Sequence, residues 1–279
     1  MPYAVHPDGA QISYRVLGDE HIGRTTPFVC VGGVGSLQGD WERLATSLSR
    51  VRPVLVYDHR GMGESKLATR DDEISIEGLA RDLLFVLERL GWKEIAICGF
   101  SMGGIVTQQL LFLPYHPVRP TPLPFRVTHV VLAGTLCSPL RDKRYGLPIT
   151  PLPDLGRPLT EQEKLDIARP NLELSLDKKW LADPRNAEDF DRLLRSRISG
   201  RSALTGRIEF TGMHAKLPRS TQFLEILQRI PWAKSVQVGS HPGAVENLEF
   251  GHMWFEYFGI QVWHDVVEKF LTSPTPARL

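Results

Sequence analysis

The sequence predicts an α/β protein: a mostly parallel central sheet flanked by helices, with a helical insertion. Three observations carry this. Four apolar runs, Pro27–Val31, Val54–Tyr57, Ile95–Cys98 and Val130–Ala133, are continuous rather than alternating, as strands covered on both faces require. Segments with helical spacing separate them, and strand–helix–strand alternation implies right-handed crossovers. Between Ser138 and about Gly200 the rhythm breaks into a loop marked by Pro139, Pro148, Pro151, Pro153 and Pro158, then resumes as helices.

Each element has a local cause. Two short extended runs within residues 3–17 flank Asp8-Gly9, a hairpin signal. Asp40 is placed to cap a helix over Trp41–Arg50. Ser75 opens a segment in which Leu79, Leu83, Val86, Leu87 and Leu90 keep helical spacing, and Gly91 stops it. In the insertion the expected helices lie around Thr160–Ala168, Leu172–Leu181 and Glu188–Ile198. Val236–Val238 reads as a late strand. Val262–Leu271 reads as a terminal helix with Val262, Val266, Val267 and Phe270 on its apolar face. The expected organisation is a core of residues 1–137 and 201–272, an insertion at 138–200 and a flexible tail at 273–279.

Composition removes several function classes. With 279 residues, 42% hydrophobic and 23% charged, the chain is neither disordered throughout nor collagenous. Lys+Arg 33 against Asp+Glu 32 leaves a net charge of +1, which offers no field for nucleic acid or an anionic membrane. The three cysteines, Cys30, Cys98 and Cys137, lie in or beside apolar runs without metal-ligand spacing, and suit packing rather than a zinc or redox site. No apolar stretch reaches the ~18 residues of a spanning helix. With no secretory signal visible at the N-terminus, a cytoplasmic location is expected. Ala277-Arg278-Leu279 offers peroxisomal targeting as the alternative.

The sharpest chemical signal is Gly99-Phe100-Ser101-Met102-Gly103, directly after a strand and opening an apolar helix. A serine on so tight a turn needs small residues two positions either side, because a Cβ there would meet neighbouring strands. Ser101 is the candidate nucleophile. Gly32-Gly33-Val34-Gly35-Ser36 follows the first parallel strand. It matches neither dinucleotide nor P-loop spacing, so it is read as an oxyanion loop. The amides of Val34 and Met102 would converge on a developing negative oxygen, each donor worth ~3 kcal/mol. In Asp58-His59-Arg60-Gly61-Met62-Gly63-Glu64-Ser65, side chains of Asp58 and Arg60 are expected to hold a turn, and His59 to make structural hydrogen bonds.

Together with Gly251-His252-Met253 before the terminal helix, these segments resemble the α/β-hydrolase fold group of esterases, prolyl aminopeptidases, cofactor-free haloperoxidases and C–C bond hydrolases. The resemblance runs from about residue 3 to 272. It implies that His252, among nine histidines, is the general base, in preference to His214 and His241. It also implies that the 138–200 insertion is a lid whose inner face selects the substrate. The implied activity is cleavage of a small, fairly apolar ester or amide through an acyl-enzyme on Ser101. Neither a metal nor an organic cofactor is needed, and the expected partner is a small molecule. Trp180, Trp254, Phe255 and Phe258 suggest an apolar pocket, although core packing explains aromatic residues equally well.

One part of the pattern is missing. Where the group carries the triad acid, this sequence has Ala215 in one register; in another, the acid-bearing strand is absent between about Pro218 and Pro231. Asp142, Glu246 and Glu249 are the substitutes. A serine hydrolase without its orienting carboxylate loses about 10⁴ in turnover yet keeps 10³–10⁴ over water. A ligand-binding descendant without catalysis, or a lyase or cyclase reusing the pocket, are therefore the rival readings.

Overall fold

The computed structural model describes residues 2–69, 74–135, 157, 159–198, 252–256 and 259–272. Six strands of the described residues form one sheet in the order β1-β2-β4-β3-β5-β6. They are β1 (Tyr3–Val5), β2 (Gln11–Leu17), β3 (Phe28–Val31), β4 (Val54–Tyr57), β5 (Glu94–Phe100) and β6 (Arg126–Ala133). Strands β3 to β6 are parallel, with Phe28 opposite Val54 on one side and Ala96 on the other. The β1–β2 hairpin joins antiparallel through β2 and β4. Gly9 turns it at φ 100°, and Asp8 Oδ1 accepts the Ala10 N–H at 2.8 Å.

Strand periodicity divides the core in two. Side chains of a strand alternate between faces, so Val29, Val31, Leu55, Tyr57, Ile95 and Ile97 pack under α2 (Ile76–Leu90) and α3 (Met102–Phe112). Phe28, Cys30, Val54, Val56, Ala96, Cys98 and Phe100 face α1 (Glu42–Leu48) and the C-terminal helix Ile260–Thr272. Each large apolar side chain removed from water in this way contributes about 1.5–3 kcal/mol. Cys30 and Cys98 are fully buried here, and burial pushes the Cys98 thiol up to about 12. Both pack as small hydrophobes. The chain passes from β3 to β4 on one side, then through α2 back across β3 to β5. At such a reversal the carboxyl ends of the strands open a crevice, and both glycine loops lie there.

Helix α2 follows its sequence signals. Ser75 Oγ accepts the Gly78 N–H at 3.0 Å, and Gly91 closes the helix at φ 67°. Asp40 does not cap α1. It sits in a 3₁₀ turn, where its Oδ2 accepts the Leu37 N–H at 3.0 Å, and α1 begins only at Glu42. The insertion helices are α4 (Glu161–Leu174), α5 (Lys178–Ala182) and α6 (Ala187–Ile198). Helix α4 runs past the expected stop and includes Pro170. The expected Leu172–Leu181 helix is split because Asp177 caps a new one, accepting from the N–H groups of Lys179 and Trp180. Leu172, Leu176, Leu193 and Leu194 then join Trp41, Met253 and Phe255 in the α1-side core. The terminal helix, α7 (Ile260–Thr272), centres its buried face on Trp263, Val267 and Phe270 rather than on Val262 and Val266. Among the described residues no helix is long and apolar enough to cross a membrane.

Several expectations lie outside the described residues. They are the Pro139–Pro153 loop, Cys137, the Val236–Val238 strand, Phe258, His214, His241, Ala215, the three substitute carboxylates and the tail.

Candidate active site

Ser101 sits where β5 turns into α3, with φ 54° and ψ −124°. It alone among the described non-glycine residues has positive φ, a conformation that costs roughly 1–3 kcal/mol and is held only by its surroundings. Those surroundings are backbone. A Cβ on Gly103 would stand 2.1 Å from the Val31 carbonyl oxygen, and one on Gly99 would stand 2.6 Å from the Gly104 Cα. Ser101 N–H donates to the Ala133 carbonyl at 2.9 Å, and Thr135 Oγ1 donates to the Ser101 carbonyl at 2.6 Å. On the other side Gly33 closes in: a Cβ there would lie 2.9 Å from Ser101 Cβ and 3.4 Å from its Oγ.

Among the described residues, two amides beside this serine have no partner. Met102 N–H belongs to the first turn of α3, where helices have no internal acceptors. Val34 follows Gly33 in the adjoining loop. Neither amide donates to any described residue. Free N–H groups on two elements that meet at Ser101 are what an incoming oxyanion requires.

His252 reaches the same end of the sheet. Its ring stacks obliquely on Phe100, centroids 4.7 Å apart. Gly134, at φ +55° directly after β6, makes room for it, since a Cβ there would lie 3.0 Å from both Nδ1 and Cε1. The structure thus brings residue 252 against the residue preceding Ser101, although no hydrogen bond joins the two side chains. Apo hydrogen bonds of this type often tighten only with substrate. His252 Nε2 is buried and unpartnered among the described residues. Burial also lowers the ring's pKa from its ordinary 6.5, so it is held neutral. No described carboxylate bonds to it; Asp142, Glu246 and Glu249 lie outside the described residues. Nor do the described residues contain a group of three His, Cys, Asp or Glu able to hold a metal.

The family model for the α/β hydrolase fold matches residues 26–156. The enol-lactonase of Burkholderia xenovorans LB400 superposes with a TM-score of 0.64 at 20% identity, over 98% of this chain and 100% of that one. The chain has the α/β-hydrolase fold. Among curated relatives, a protein named for carbamate hydrolysis, RutD of Azorhizobium caulinodans, is 32% identical over 43% of this chain. That match spans 42% of the relative, so the chain covers well under half of its length. A proline iminopeptidase of Lactiplantibacillus plantarum is 24% identical over 82% of this chain and 66% of its own length.

In this α/β-hydrolase-fold chain the Asp58–Ser65 segment is the structural turn its sequence suggested. Asp58 Oδ1 accepts Gln38 N–H at 2.8 Å, and Oδ2 accepts Gln38 Nε2 at 2.9 Å and Glu64 N–H at 3.1 Å. Arg60 pairs with Asp82 and Asp8. His59 Nε2 donates to the Gly32 carbonyl at 2.8 Å, tying the turn to the Val34 loop. Trp254 and Phe255 of the histidine segment are core residues. Phe255 stacks on Trp41 at 5.0 Å and meets Phe100 edge-on at 5.2 Å, while Trp254 packs on Trp263. The cavity beside the free amides has other walls, among them Val34, His59, Met62, Ile74, Leu79 and Met102.

Sequence reading missed Gly134 and Phe100 as parts of this site. A glycine immediately after a strand that flanks a nucleophile turn was the available signal for the first. For the second there was none, because its partners lie at Trp41, His252 and Phe255.

Proposed function

We propose that this chain is a serine hydrolase of a small, fairly apolar ester or amide. Ser101 Oγ attacks the carbonyl carbon while His252 takes the hydroxyl proton. The oxygen, now negative, lies between the amides of Val34 and Met102. Collapse expels the alcohol or amine, which leaves with the proton His252 returns, and an acyl ester remains on Ser101. Water, deprotonated by the same imidazole, then releases the acid and restores the hydroxyl. No metal or organic cofactor enters this scheme. The insertion at 138–200 acts as a lid over the site, and its helices α4 to α6 select the substrate.

The observation that carries this reading is the strained Ser101 with two unpartnered amides beside it. Such strain persists only where the surroundings over-determine it, and it clusters at active sites. The names of relatives agree at the level of bond type: carbamate, enol lactone and peptide all present an acyl carbon bearing a heteroatom leaving group. A fluorophosphonate probe tests the proposal. Stoichiometric labelling of the wild type, lost in Ser101→Ala together with p-nitrophenyl ester turnover, is expected. Absence of labelling in both overturns it in favour of a binding protein.

A further inference from the structure

The segment Ala133-Gly134-Thr135, where β6 ends, touches both halves of the candidate site, yet the hydrolytic scheme gives its threonine no part. Gly134 seats the His252 ring, and the residues either side of it hold Ser101. The Ala133 carbonyl accepts the Ser101 N–H at 2.9 Å, and Thr135 Oγ1 donates to the Ser101 carbonyl at 2.6 Å. Gly104 leaves the space for that hydroxyl: a Cβ there would stand 2.4 Å from Thr135 Oγ1 and 2.5 Å from its Cβ. The same carbonyl also accepts the Gly104 N–H at 3.0 Å, so both of its lone pairs are engaged.

The torsions show why this carbonyl needs holding. At the φ of 54° that Ser101 adopts, an L-residue relaxes into the left-handed well, with ψ about +47°. Ser101 instead has ψ −124°, about half a turn from that well. In a trans peptide the carbonyl and the following N–H point in opposite directions. Relaxation of Ser101 would therefore swing the Met102 N–H to the other side of the turn. Donors on the Ser101 carbonyl oppose that rotation. Gly104 N–H belongs to α3 itself, whereas Thr135 comes from a separate strand and fixes the peptide plane against the sheet. We propose that Thr135 is a positioning residue: by anchoring the Ser101 carbonyl, its hydroxyl keeps the Met102 N–H turned toward the developing oxyanion. This role rests on the reading that the Met102 amide holds that oxygen.

The test compares Thr135→Val, which keeps the shape and removes the hydroxyl, with Thr135→Ser, which keeps the hydroxyl. On p-nitrophenyl butyrate, Thr135→Val should lower kcat about 30-fold with KM little changed. That is less than the ~10²–10³ lost with an oxyanion donor itself, because the Gly104 N–H still holds the carbonyl. Affinity for a trifluoromethyl ketone, which forms a tetrahedral oxyanion on the serine, should fall by the same factor. Thr135→Ser should recover nearly all of both. Gly104→Ala reaches the bond from the other side by driving the threonine off the carbonyl, and should reproduce the loss. Undiminished kcat in Thr135→Val or in Gly104→Ala overturns the proposal. So does a serine variant as poor as the valine one, or a fall in kcat without a fall in ketone affinity. One measurement stands apart from catalysis: the Met102 amide signal of ¹⁵N-methionine-labelled Ser101→Ala protein. Adding Thr135→Val should shift or broaden it and adding Thr135→Ser should not; a signal indifferent to both overturns the anchor. Failed fluorophosphonate labelling of the wild type alongside that selective change would overturn the hydrolytic reading and leave Thr135 as the holder of this peptide.

Discussion

Ser101 and His252 reach one end of the sheet by opposite means. The serine is held by backbone: a strand before it, a helix after it, and glycines at 33, 99 and 103 that let neighbouring main chains close in. The histidine arrives on side chains. Phe100 and Phe255 seat its segment against Trp41. Four residues on, the buried Glu256 pairs with Arg43 of α1 and Arg192 of α6 at 3.2 and 3.0 Å. Arg197 of α6 bonds Asp40 and reaches the Met253 sulfur. The difference teaches that one half of the candidate chemistry is specified within a dozen residues. The other half depends on contacts more than a hundred residues apart in sequence.

The comparison can be broken at either half. Ser101→Ala should lower ester turnover by about 10⁴-fold or more, roughly 5.5 kcal/mol of transition-state stabilisation, with an unchanged circular dichroism spectrum. A loss under tenfold would remove the serine from the chemistry. Gly103→Ala forces a methyl onto the Val31 carbonyl, and urea unfolding should show a loss of about 3 kcal/mol as strand and helix are pushed apart. If stability holds, the close approach is not what shapes the turn.

Glu256→Ala probes the second half. It removes the carboxylate that Arg43 and Arg192 share, while Arg192 keeps Asp189 at 3.2 Å, and because both arginines are partly solvated the stability cost should be about 1–2 kcal/mol rather than that of a fully buried pair. Turnover should fall more than probe binding does, because the damage lies in the histidine's placement. The smallest effect concerns pH. Burial lowers the pKa of His252 below 6.5, so the neutral base survives into mild acid. The acidic limb of kcat/KM should have its midpoint below that value. In stability, the same sign means a contribution fully present above about 6.5 and lost as pH falls from there through the lowered folded-state value. A midpoint above 6.5 would indicate a carboxylate holding the imidazolium.

Much of the first half was legible in advance. Continuous apolar runs marked β3 to β6, Ser75 and Gly91 bounded α2, and Gly99–Gly103 marked the turn, because each of these is a local property of a few consecutive residues. Asp40 misled for a related reason: an aspartate before an apolar helix can cap either of two adjacent turns, and the nearer N–H of Leu37 won. In the insertion, Pro170 and Asp177 show the same competition between local signals. The Asp58 turn was recognisable by type, yet its link through His59 to the Gly32 carbonyl was not.

The sequence by itself therefore determined the α/β class, the parallel strands and the strained serine, since backbone conformation answers to its immediate neighbours. Tertiary structure alone decided that Gly134 clears space for the His252 ring, that Phe100 joins it to the serine, and that His59 ties the Asp58 turn to the Gly32 carbonyl. Those outcomes depend on which side chains meet across the sheet, and packing between distant segments leaves no mark on local spacing.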